Sequence, residues 1–362
     1  NTTGTLNVAV GAYALDANTT ASYNNAVGYN ALTANTTGAE NTAMGYNALG
    51  ANTTASHNTA FGSVALDANT TGAYNTAVGS AALGANIDGA GNIAVGYAAL
   101  DANTTGGNNV AIGLSALGAN TTAGDNTAVG HNALLINTTG TRNIAVGVYA
   151  LDANTTANDN IAMGHAALST NSTGASNTGL GSYALNANTT ASNNTAVGHN
   201  ALVLNSTGAQ NIAIGVSCLD SVTTGSHNTA IGHQAGTYSI DLSDGIENTL
   251  IGAYAHTSAT DSEKQICLGY NVLSAGDSNF TFGYATTDSN IANGATTITA
   301  PSDVRLKEDI QDEKVGLDFI NELRPVTFRW KKAKDVSSDL KVYDPDSEER
   351  VMNGKYNHGF VA

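Results

Sequence analysis

Apolar and polar positions along this chain repeat with a period of seventeen. A large apolar residue returns at Val10, Val27, Met44, Phe61, Val78, Ile112, Leu180 and Ile231. Alanine precedes it almost throughout, as at Ala9, Ala26, Ala43 and Ala60, and the residue before that is often β-branched, as at Thr42, Ile93, Val110 and Ile144. Such alternation predicts a short strand with one bulky face and one face carrying only methyl groups. Glycine follows, from Gly11 and Gly28 to Gly232, and ends the strand at a turn or close backbone contact. A second apolar pair, Ala-Leu, recurs with Leu15, Leu32, Leu49, Leu66, Leu202 and Leu219 and reads as a second short strand. Asn-Thr-Thr-Gly or Asn-Thr-Thr-Ala then supplies a turn. No helix of ordinary length fits between these breakers.

The leading asparagine keeps the beat without insertion, from Asn7, Asn24 and Asn41 through Asn58 to Asn228. Strict periodicity means a stacked array, and strand-turn-strand-turn in seventeen residues is one coil of a parallel β-solenoid. Coils stacked at about 4.8 Å make the fourteen regular units a rod of roughly 65 Å. Each coil offers only two or three bulky side chains, which is a thin core for one chain. The alanine face is therefore expected to pack against copies of the same chain about a shared axis, with a homotrimer as the expected state.

Three regions follow from the pattern. Residues 1–236 are the regular array. Residues 237–300 hold irregular coils and a connector: Asn228 to Asn248 is twenty residues, with the insertion expected in 238–246, and imperfect coils begin at Asn248, Gln265 and Asn279. They read as a terminal cap or transition. At Pro301 the sequence becomes charged and aperiodic, and residues 301–362 read as the start of a small α+β domain. Leu317, Ile320 and Leu323 predict a helix over 315–323, stopped by Arg324-Pro325. Val326, Phe328 and Trp330 then alternate as in a strand, 335–350 is a polar loop, and 356–362 opens another apolar segment.

Composition narrows the class. The 362 residues include 40 Gly, 3 Pro and 1 Trp, only 12% are charged, and the formal net charge is −16. Before Ser302 the basic residues are Arg142 and Lys264 alone, whereas eleven lie beyond it. An acidic array nearly free of lysine disfavours nucleic acid and anionic membranes as partners, and its acidity keeps a β-rod soluble. No apolar run reaches membrane-spanning length and no signal peptide is visible. The sequence opens within a repeat and without methionine, so a fragment of a longer protein is expected. Cys218 and Cys267 occupy apolar coil positions and read as small core residues.

The most specific chemical signal is Ser302 to Ile310, S-D-V-R-L-K-E-D-I. A serine near a lysine performs nucleophilic catalysis if the lysine is desolvated enough to act as a neutral base, although the same pair is ordinary on a solvated surface. Together with L-R-P-V-T-F-R-W-K and Y-N-H-G-F-V-A further on, this segment resembles the endosialidase-type intramolecular chaperone at the end of phage tailspikes and fibres. The resemblance covers about sixty residues. It implies a domain that trimerises, templates folding of the preceding β-fibre and then cuts itself off. It places Ser302 as nucleophile, Lys307 as general base and Pro301-Ser302 as the scissile bond. The family continues beyond the G-F-V-A match, so the chaperone is expected to be incomplete here, and the proline constrains the backbone at the cut. The N-T-A-V-G core is also similar to the head repeats of trimeric autotransporter adhesins, which implies left-handed parallel β-rolls in threefold bundles.

These readings make a structural fibre the leading expectation, on a virion tail or an extracellular cell-surface appendage, with at most single-turnover autoproteolysis and no cofactor or metal. The alternative is an adhesin or receptor-binding fibre that recognises host glycan; Tyr29, Tyr46 and Tyr97 share a coil position but are interrupted by Ser63 and Ser80. A third reading, an ice-binding solenoid, needs a flat threonine face, and here the threonines lie mostly in turns. Asn-Thr-Thr at Asn18, Asn35, Asn52, Asn69 and Asn103 is formally a glycosylation acceptor, with turn chemistry as the favoured account. His131, His165, His199 and His233 recur every second coil, about 10 Å apart, too far to share zinc within one chain. Copies meeting on a threefold axis are the remaining route to a metal.

Overall fold

The computed structural model describes residues 1–285, 288–292, 324–328, 332, 334, 345–348 and 357–361. The chain divides into two compact units, Asn1–Pro301 and Ser302–Ala362.

The first unit is a parallel β-solenoid with one three-residue strand per regular coil, from β1 (Val8–Val10), β2 (Asn25–Val27), β3 (Thr42–Met44) and β4 (Thr59–Phe61) to β14 (Thr229–Ile231). Each strand pairs with the next at the same coil position, Ala26 with Ala43 and Ala43 with Ala60. The ladder continues through β15 (Thr249–Ile251), β16 (Ile266–Tyr270) and β17 (Asn279–Tyr284). Two steps depart from seventeen: Thr229 pairs with Thr249, twenty residues on, and Ile266 with Phe280, fourteen on. The longer coil carries its extra residues on the outside, with Tyr238, Ser239 and Asp241 exposed, while Leu242 takes the buried place of the turn asparagine. β18 (Ser289–Ala292) then folds back antiparallel on β17.

The inside of the coil is the opposite of the face expected from the sequence. Ala43, Ala48 and Leu49 are fully buried, as are Ala60, Ala65 and Leu66 one coil later, so the alanine column faces the interior. The bulky column points outward, and Phe61 is 55% exposed. One leucine fills the width of a seventeen-residue coil, so the strand across from it has room for a methyl group and its larger side chains turn out. The core is thin, as its composition requires, but it is closed within one chain.

The Ala-Leu segment is a turn rather than a second strand. Leu32, Leu49 and Leu66 have φ of 52°, 51° and 51°. A left-handed conformation costs about 1–2 kcal/mol for a residue with a side chain. Burying a leucine completely contributes about 1.5–3 kcal/mol, so burial wins by a small margin. The backbone stays bonded across coils, with Leu32 N donating to Ala48 O at 3.0 Å. The glycine after each strand has no such latitude: Gly62 has φ of 146°, and a Cβ there would lie 2.3 Å from Gly79 O.

Two asparagine columns run up the interior. The backbone N–H of Asn41 donates to Asn24 Oδ1 at 2.9 Å, and Asn52 Nδ2 donates to Asn35 Oδ1 at 2.9 Å. Identical buried amides thus satisfy one another from coil to coil. Where the array becomes irregular, Gln265 replaces the leading asparagine; its backbone N–H donates to Asn248 Oδ1 and its side chain to Asp277 Oδ1. Cys218 and Cys267 stand in buried alanine places, and burial pushes both thiols up to about 12.

In the second unit β19 (Arg324–Phe328) pairs antiparallel with β20 (Asn357–Val361), Val326 opposite Gly359. The ammonium groups of Lys332 and Lys334 both donate to the Glu348 carboxylate and hold it down at about 2. The helix expected over 315–323 lies outside the described residues. There is no α-helix among the described residues.

Candidate interaction surface

Pro301, Ser302 and Lys307 lie outside the described residues, and the candidate surfaces among the described residues are those of the array. The broadest is the outward face of the strands. Met44, Phe61, Ile112, Met163, Ile214 and Ile231 are all exposed in the column formed by the third residue of each strand, and Ile93 and Ile144 are exposed in the column of the first. An apolar strip repeated at every coil is far larger than the scattered exposed side chains of a monomeric protein.

A second surface borders that face just after the strand glycines. His131, Tyr149, His165, Tyr183 and His199 form an unbroken ribbon with ring centroids 5.3, 6.4, 5.1 and 6.4 Å apart, each pair close to edge-to-face. A shorter run joins Tyr13, Tyr29 and Tyr46, and another joins His233, Tyr254, Tyr270 and Tyr284. The tyrosines and histidines thus belong to one feature. Along the sequence they do not stand out as one, because the rings alternate between two adjacent coil positions; counting any aromatic ring at either position reveals the ribbon.

The turn positions are less available. Asn35, Asn52, Asn69 and Asn103 are fully buried, with their side-chain amides donating to carbonyls inside the coil, which is the turn chemistry the sequence favours over glycosylation. The first threonine of each pair is engaged too, as Thr36 Oγ1 donates to Thr53 O at 3.0 Å. The second, as at Thr37, Thr54 and Thr71, is exposed, and another threonine column, Thr42, Thr59 and Thr76, opens the strands on their outward face beside the large apolar residues. Half-buried aspartates at Asp67, Asp101 and Asp152 have their carboxyls raised by desolvation, with Asp67 adding its charge at Asp101.

The last residue of each coil forms a variable column that distinguishes neighbours. Arg142 meets Asp159 with two hydrogen bonds of 2.7 and 3.0 Å, His57 lies 3.3 Å from Glu40 and stacks on Tyr74, and Lys264 lies 3.8 Å from Glu247. At the irregular end Tyr238, His256, Asn271, Ser274 and Asp288 line a cleft of about 470 Å³. Among the described residues no group of three His, Cys, Asp or Glu could hold a metal ion, and no helix is long and apolar enough to cross a membrane.

No curated protein and no solved structure matches the chain. Residues 302–362 match the family described as chaperone of endosialidase, so the second unit of this chain is similar to that folding module.

Proposed function

We propose that the chain is the shaft of a homotrimeric fibre, on a virion tail or an extracellular appendage, whose folding is templated by a C-terminal chaperone that begins at 301. The observation that carries this reading is a long coil array followed in the sequence by a segment similar to the chaperone of endosialidase. The outward apolar face supports self-association. A closed symmetric assembly covers one such strip on every copy and keeps equivalent coils at one height. Three copies follow from the resemblance to trimeric fibres.

Templating answers a specific difficulty. Identical coils pair almost as well when slipped by one whole repeat, so three arrays zipping freely can be trapped out of register. Association of three C-terminal domains sets the register first, and coils then add from that end. Release of the chaperone afterwards removes the return path and leaves a kinetically stable rod. For that step, neutral Lys307 takes the Ser302 Oγ proton as that oxygen attacks the Pro301 carbonyl; the Pro301–Ser302 C–N bond breaks as the proton passes to the Ser302 amine, and water then hydrolyses the ester to the Pro301 carboxylate and the free Ser302 hydroxyl.

The test is light scattering of the full chain beside Ile112→Asp. Wild type is expected at three times the chain mass, and the variant is expected to lose association while its β-signal persists. A monomeric wild type rejects the trimer.

A further inference from the structure

We propose that the ribbon from His131 to His199 is a track for a neutral, extended, β-1,4-linked pyranose chain. This stands on the ring geometry of the coils and not on the trimer reading.

The ribbon holds one ring per coil over five coils, at centroid spacings of 5.1–6.4 Å. Extended β-1,4-linked sugars advance by about one coil height per residue, roughly 5 Å, so each sugar meets one ring. Tyr149 and Tyr183 are 38% and 39% exposed, leaving ring surface free beyond their mutual contacts. Such rings offer an apolar face to the C–H side of a pyranose and a polar tip to its hydroxyls.

The ring alternates between two coil positions: histidine follows the strand glycine directly at His131, His165 and His199, and tyrosine comes one residue later at Tyr149 and Tyr183. The coil position changes while neighbouring rings stay in contact.

Charge selects among glycans. Asp152 and Asp159 are the only acidic residues of these five coils, and Arg142, their one Lys or Arg, is held by both carboxylate oxygens of Asp159. A sulfated or uronate polymer would find no free Lys or Arg to pair with, which favours a neutral chain.

The test is affinity electrophoresis of the full chain through native gels containing glucomannan or hydroxyethylcellulose, with polygalacturonate as the anionic comparison. The variant is Tyr149→Asn with Tyr183→Asn. Other coils carry asparagine at that position with the same positive φ, as at Asn132 and Asn200, so the substitution suits the backbone. Retardation by the neutral polymers is expected, about tenfold weaker in the variant, and unchanged in Tyr74→Asn, which removes a ring outside the ribbon. Absence of retardation by both neutral polymers overturns the proposal, as does equal retardation of the variant. If the double variant sediments as a smaller species, the ribbon is a seam between subunits and the proposal also fails. That result leaves the fibre reading intact, whereas a wild type that is monomeric yet retarded does the reverse.

Discussion

Asn41 and Asn52 donate their side-chain amides to one carbonyl oxygen, that of Ala55, at 2.9 and 3.0 Å. The first asparagine opens the strand and the second opens the turn, so their shared acceptor draws the two ends of a coil together. Gly38 receives the same pair of bonds from Asn24 and Asn35 one coil earlier. Removing either amide leaves fully buried polar groups without water to replace it. We expect Asn52→Ala to cost about 1–3 kcal/mol in chemical denaturation of the assembled protein. A neutral result would show that water enters the coil.

Glycines of the two kinds are expected to respond differently to alanine. At Gly62 the positive φ and the backbone oxygen 2.3 Å from a new Cβ both oppose the change, and neither can yield without moving the next coil. At Gly84 the nearest obstacle is the Asp101 carboxylate, the far end of a side chain that can turn away. Gly62→Ala should lower the melting temperature and expose neighbouring coils to hydrogen exchange. Gly84→Ala should be close to neutral. Equal effects would contradict the close stacking of the glycine column.

Autoproteolysis is read directly by denaturing mass analysis. Splitting at Pro301-Ser302 in the wild type but not in Ser302→Ala would support Ser302 as nucleophile, with Lys307→Ala the next variant to compare. Intact chains in both, on a heat-resistant trimer, would instead make the domain a retained template without chemistry.

The half-buried aspartates give a pH dependence of definite sign. Desolvation raises Asp67, Asp101, Asp152 and Asp220 above the ordinary aspartate value. Between the ordinary and the raised values the native state holds more protons than the unfolded state, so this contribution is fullest in acid and is lost as pH rises through the raised value. Asp159 is lowered by Arg142 and Asp277 by its hydrogen bonds from Glu263 and Gln265, so both act in the opposite sense. Asp152→Asn should therefore stabilise the array at neutral pH and reduce its gain on mild acidification. Stability curves of wild type and variant that run parallel with pH would remove Asp152 from this account.

The coil was legible because its punctuation is periodic: the asparagines, the strand residues and the glycine each recur where a strand or turn needs them. What stayed hidden was the direction of the strand. Alternation between Ala43 and Met44 distinguishes two faces but does not say which one is inside. The deciding fact is the competition between Met44 and Leu49 for a cavity one side chain wide, which appears only when the turn is built. The same turn explains why Ala-Leu resembles a strand in composition yet places Leu49 at positive φ. The ribbon is hidden in the sequence for a related reason, since Tyr149 and His165 differ in residue type and coil position and meet only in three dimensions.

Because each regular coil is hydrogen-bonded to the coil above and the coil below, an axial pull loads those bonds end to end. Peeling one coil frees seventeen residues, roughly 55 Å of slack, while the next coil remains seated. Such an array yields under tension by successive equal lengths, one rung at a time.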